Sequence, residues 1–173
     1  MKKLIALVLV LVLALSMAAC GGKSSGASLE GTMEENVNKI MEANPVEFMG
    51  GLITIDLTDT SEDSLWMLQS FTGLDSVDKI TDVAVYEPMT GSQAFSLVMV
   101  RVADAGEAEE IAQQMKDTID PRKWICVGAD EVMAAGYGDT VLFIMLDSNL
   151  GLKAQSYVDA FADICGGKLD FTI

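Results

Sequence analysis

Two apolar runs rich in β-branched residues constrain this chain more than any other feature: Phe95 to Val102 (FSLVMVRV) and Thr140 to Leu146 (TVLFIML). Their length and composition read as strands, the second of them buried. Each follows a shorter strand signal across a turn. Val83 and Val85 open a strand that ends before Pro88, and Thr90-Gly91-Ser92 turns the chain. Glu131 to Tyr137 reads as a strand, with Gly138-Asp139 as a tight turn. Each run also precedes a helix. Asp104 with Glu107 reads as a capping box ahead of an apolar face of Ala108, Ile111, Ala112, Met115 and Ile119, ended by Pro121. Val158, Phe161, Ala162 and Cys165 form the inward face of the last helix, which Gly166-Gly167 stop. The order ββα therefore occurs twice. The expected fold is α+β: an antiparallel sheet with helices on one face, a ββα-ββα pseudo-repeat preceded by N-terminal helices.

The first half carries weaker signals. Thr32 with Glu35 makes a capping box, Met33, Val37, Ile40 and Met41 line one face, and Asn44-Pro45 stops that helix. Methionines at this spacing belong to a core, not to a soft-metal site. Ile53, Ile55 and Leu57 alternate as in a short strand. Thr60 with Asp63 would cap a short helix carrying Leu65, Leu68 and Phe71 and closed by Gly73.

Ahead of the domain, Lys2 and Lys3 give a positive start, and Leu4 to Leu15 form an apolar stretch too short to span about 30 Å of hydrocarbon. Met17-Ala18-Ala19-Cys20 resembles a bacterial lipobox, with Met17 in place of the usual Leu. That resemblance implies cleavage between Ala19 and Cys20, a diacylglycerol on Cys20, and fatty chains of the palmitate class. Two acyl chains give a durable anchor at ~0.8 kcal/mol per buried methylene. Residues 1–19 are thus expected to be a signal peptide, 20–31 a Gly/Ser-rich tether (CGGKSSGASLEG) and 32–173 a single domain. The expected location is the extracytoplasmic face of the cell membrane, held by lipid.

Charge and composition narrow the function. Without Lys2 and Lys3, 11 − 2 = 9 basic residues face 26 acidic ones, a net charge of −17 for the mature chain. A field of that sign repels nucleic acid and anionic bilayers. The chain has no His, which removes the commonest general base and metal ligand. No phosphate-binding, dinucleotide or CxxC motif occurs, no Ser sits in a nucleophile elbow, and no cofactor is implied. Cys126 and Cys165 are expected to be buried free thiols, because the layout sets them ~20 Å apart at opposite ends of a hairpin.

Two clusters stand out. The acidic run holding Asp56, Asp59, Glu62 and Asp63 is the best cation candidate, since Ca²⁺ takes six to eight oxygens. It lacks the central Gly of an EF-hand, Met67 stands at the position for the closing Glu, and a solvated helix start explains it better. Arg122-Lys123-Trp124 is a basic and aromatic spot on an acidic chain, a composition common in interface anchors. An inward-packed Trp124 beside wet charges is the competing explanation.

The segment Asp120-Pro121-Arg122-Lys123-Trp124-Ile125-Cys126-Val127, with Gly138-Asp139-Thr140-Val141-Leu142-Phe143-Ile144-Met145, resembles an uncharacterised domain family of small Firmicutes lipoproteins. The resemblance runs from about Leu65 to Leu146. It implies a lipoprotein leader ahead of a domain of unknown function, and no catalytic residues. The leading expectation is a membrane-anchored, non-enzymatic binding module with a protein, peptide or cell-wall partner. The alternatives are an extracytoplasmic enzyme using carboxylates or a metal, and a small-ligand or ion-binding lipoprotein.

Overall fold

The computed structural model describes residues 28–173. The expected signal peptide, Ala19, Cys20 and most of the tether lie outside the described residues. Ten main elements follow in order: α1 (Met33–Ala43), β1 (Gly50–Thr54), α2 (Glu62–Thr72), β2 (Ile80–Pro88), β3 (Phe95–Val102), α3 (Ala108–Thr118), β4 (Glu131–Tyr137), β5 (Thr140–Leu146), α4 (Ala154–Ile164) and β6 (Phe171–Thr172). The strands form one sheet in the order β1-β2-β3-β5-β4-β6, and every neighbouring pair is antiparallel. The fold is α+β, as its sequence leads one to expect.

The helices do not share one face. Side chains alternate across a strand, so neighbouring residues point to opposite faces. Phe95, Leu97 and Met99 of β3, with Leu142, Ile144 and Leu146 of β5, pack under α1 and α4. Val98, Val100 and Val102, with Val141, Phe143 and Met145, pack under α2 and α3 on the other side. The sheet is the middle of three layers. Both central strands are buried along nearly their whole length, which explains why they read as unbroken apolar runs.

This arrangement also removes the pseudo-repeat. β3 and β5 are antiparallel neighbours, so a rotation exchanging the two hairpins would pass perpendicular to the sheet between them. Such a rotation leaves each face on itself. The helices that follow the two hairpins lie on opposite faces, so the recurring order is not a repeated structure.

Local signals hold with small shifts. Thr32 and Glu35 form the capping box of α1, and Asp82 of β2 accepts a further first-turn bond from the Met33 N–H at 2.9 Å. α2 starts one residue later than expected, with Ser61 accepting from the Ser64 N–H, and ends on left-handed Gly73. Asp104 accepts from the Gly106 N–H and opens a 3-10 turn; Glu107 pairs with Lys79 at 3.0 Å instead of closing a capping box. β1 lies over Gly50–Thr54, N-terminal to the expected alternation. The Tyr86 ring covers Gly50, where a side chain would collide with it. Phe171 of β6 covers Gly136 of β4 in the same way at the opposite edge. An aromatic ring over a strand glycine restores the packing that the missing side chain forgoes.

The tether expected to reach Gly31 is already docked at Ser28. Leu29 is buried, and Arg101 donates to the Leu29 and Gly31 carbonyls at 2.8 Å each. Cys126 and Cys165 are free thiols. Cys165 is buried against α4's own face, but Cys126 is exposed on the loop before β4, contrary to the expectation for it.

Candidate functional site

α2, the end of α3 and the α3–β4 connection enclose a cleft of about 450 Å³. The connection is a built loop. The Arg122 N–H donates to the Asp120 carboxylate, the Ala129 N–H to the Pro121 carbonyl, and the Ile125 N–H to the Gly91 carbonyl at 2.7 Å. The last bond ties the loop to the β2–β3 turn. These constraints place Lys123 and Trp124 over the end of β2, where Glu87 rises from the sheet.

Lys123 is the centre of the cleft floor. Its ammonium lies 2.5 Å from Glu87 Oε1, close but poorly aligned for a hydrogen bond, and both side chains are mostly shielded from solvent. It donates to the Ser70 carbonyl at 3.1 Å and lies 5.1 Å from the Phe71 ring and 5.4 Å from the Trp124 ring. Burial pulls the Lys123 pKa below its ordinary value, and the Glu87 charge opposes that shift. An ammonium held by a carboxylate, a carbonyl and two aromatic faces is a satisfied structural cation. The Ser70 hydroxyl donates to the Trp66 carbonyl, so it is not presented to Lys123 as a nucleophile.

The walls differ from the floor. Trp66 of α2 is 69% exposed, although Trp is normally among the well-covered residue types. Gln69, Thr118 and Asp120 add polar groups around the rim. Near this end of the sheet Met49, Met89 and Ile125 are also more than two-thirds exposed. Their loops are joined, because the Met89 N–H donates to the Met49 carbonyl and the Ile125 N–H to Gly91. Exposed Trp and Met with one nearby Arg is the composition of an interface core. A cleft with an exposed aromatic wall and a polar rim can hold a partner side chain; its charged floor is already neutralised internally.

Of the sequence candidates, the structure brings Lys123 and Trp124 into the cleft and leaves Arg122 exposed on its outer side. Lys123 serves the interior and is not a free cation for a partner. Trp124 packs partly into the core with its indole N–H buried and unpaired. The acidic run does not converge. Asp56 accepts from the Thr58 N–H and hydroxyl, which hold its carboxyl below the usual range, and Asp59 accepts from the Ser61 N–H. Glu62 and Asp63 lie in the first turn of α2. Among the described residues no three Asp, Glu or Cys side chains gather as a metal-holding group. Trp66 and Glu87 were not among the sequence candidates. Trp66 had a readable signal: it falls off the Leu65, Leu68, Phe71 stripe of its own helix. Glu87 had none, since its role depends on a loop 36 residues later.

No protein-family model matches the chain, and no curated protein and no solved structure matches it.

Proposed function

We propose that this protein is a lipid-anchored, extracytoplasmic binding module, without catalytic activity, whose Trp66–Trp124 cleft meets a partner on the side away from the membrane. The observation that carries this reading is the separation of the two ends of the sheet. Ser28, where the described chain begins, sits at the Arg101–Asp139 end. The cleft and the exposed Met49, Met89 and Ile125 sit at the Pro88–Phe95 end. β3 runs between the two ends with eight residues, about 26 Å at ~3.3 Å each.

Anchoring through Cys20 fits that polarity. Eight peptide steps join Cys20 to Ser28, at most ~29 Å when fully extended. The acidic surface of the domain is repelled by anionic headgroups, so the domain stands off the bilayer with its cleft outermost.

A photoreactive amino acid placed at position 66 tests the reading in intact cells. Position 66 should capture a partner and no lipid, and intact mass should show acyl chains on Cys20. Lipid adducts at position 66, or a mature amino terminus without acyl chains, would overturn it.

A further inference from the structure

The outer edge of β1 is the second surface with a use to assign. β1 is the terminal strand of the sheet, and its sequence Gly50-Gly51-Leu52-Ile53-Thr54 has no charge and no proline. Proteins usually protect a strand edge with one or both. The opposite edge is handled differently, with a strand of only two residues.

The register fixes which backbone groups β1 leaves free. The Met89 N–H donates to the Met49 carbonyl, so Met49 and Met89 form a hydrogen-bonded pair. Such pairs alternate along an antiparallel ladder. Gly51 opposite Glu87 and Ile53 opposite Val85 therefore point their backbone groups toward β2. Gly50, Leu52 and Thr54 point theirs outward. No hydrogen bond within the described residues takes up those outward groups. Above the edge, Gly51 has open space where a side chain would stand.

Charge selects the occupant. Between Lys39 and Lys79 there is no Lys or Arg, and there are eight Asp and Glu. Glu47 precedes β1, and Asp56 and Asp59 follow it. A second copy of this chain would set two such segments side by side, where like charges repel. We infer that β1 accepts an extended, basic peptide as a seventh, edge-added strand, its backbone on Gly50, Leu52 and Thr54 and its Lys or Arg side chains against the flanking acids. This surface is separate from the aromatic cleft, and the inference stands whether or not Cys20 is acylated.

The test is fluorescence anisotropy of a labelled octapeptide of alternating Lys and Val against the full mature chain in a zwitterionic detergent. Saturable binding that weakens with added salt is expected. Thr54→Pro removes one outward N–H at an exposed position, leaves the β2 ladder intact, and should weaken binding about tenfold. Glu47→Lys should weaken it as well, and decides the matter if Thr54→Pro does not fold. An alternating Lys-Pro octapeptide keeps the charge but cannot complete a ladder, and should not bind. Equal binding of the Lys-Pro peptide, unchanged affinity in Thr54→Pro and Glu47→Lys, or loss of binding in Trp66→Ala would each overturn the inference. So would a dimer in light scattering that Thr54→Pro dissolves, because the occupant would then be a second copy.

Discussion

Arg101 and Asp139 are joined through Ser28: the Ser28 hydroxyl lies 2.7 Å from Arg101 Nη1 and 2.7 Å from Asp139 Oδ2, and the two charged groups approach to 3.4 Å. The second guanidinium nitrogen holds the Leu29 and Gly31 carbonyls. One arginine at the end of β3 thus fixes the start of the domain. Arg101→Ala should remove about 2 kcal/mol of stability in urea unfolding, since several charge-assisted bonds are lost together. Arg101→Lys should recover little, because an ammonium cannot serve both carbonyls and Ser28 in one plane. Amide hydrogen exchange should show Leu29 to Met33 losing protection in both variants; retained protection would show that Leu29 burial alone docks the segment.

The Lys123–Glu87 pair should behave as a unit. Glu87→Gln leaves the shielded ammonium without its counter-charge and should cost about 3 kcal/mol. The double variant Glu87→Leu with Lys123→Met removes both charges and should return to within about 1 kcal/mol of the parent. A double-mutant cycle by denaturant titration measures the coupling, and additive losses would refute it.

Tyr157 has a buried hydroxyl with no partner among the described residues, packed against the Phe95 ring at 5.3 Å between centroids. Removing an unsatisfied buried hydroxyl while keeping the ring should be neutral or stabilising by about 1 kcal/mol, so Tyr157→Phe should not lower the urea midpoint. A marked loss would mean that the hydroxyl has a partner.

The same residue gives a pH signature. Burial, with a smaller effect from Tyr86, pushes the Tyr157 pKa up from 10.0 to about 12. Burial and the Asp170 charge push the Cys165 thiol from 9.0 to about 12. Above its ordinary pKa each group loses its proton in the unfolded chain while the folded chain keeps it. Stability is therefore intact below pH 9 and falls as pH rises toward 12, by up to ~1.4 kcal/mol per pH unit for each group. Tyr157→Phe should make the decline shallower between pH 10 and 12. An unchanged alkaline slope would contradict the assignment.

Two adjacent residues test the three-layer packing. Leu142 and Phe143 point to opposite faces of β5, and both are fully buried. Leu142→Ala and Phe143→Ala should each cost about 2–5 kcal/mol. In a sheet covered on one side, one of them would be a mild surface change, so a loss below 1 kcal/mol in either would refute the layering.

The central strands and amphipathic helices were legible because their apolar patterns are long and local. β3, β5 and α3 were readable almost to the residue. The number of layers was misread: helices were expected on one face, although FSLVMVRV and TVLFIML do not alternate, as befits strands covered on both faces. β1 was displaced because two glycines carry no apolar signal, and the ring that stabilises Gly50 belongs to Tyr86, 36 positions away. The cleft was half legible. Trp124 was a candidate anchor with inward packing as the competing explanation, and it does pack partly into the core; the partnership of Lys123 with Glu87 is a product of topology that no local pattern records.

The neighbouring of β3 with β5 has a temporal consequence. These strands form the middle of the sheet, yet α3 and β4 are synthesised between them, so Val100 meets Val141 only across a long intervening stretch. Loop closure must precede most of the stabilising contacts, which slows assembly. A chain emerging from a ribosome stays without its central pairing until Leu146 is free. Refolding kinetics of this domain should accordingly belong to the slow, non-local regime.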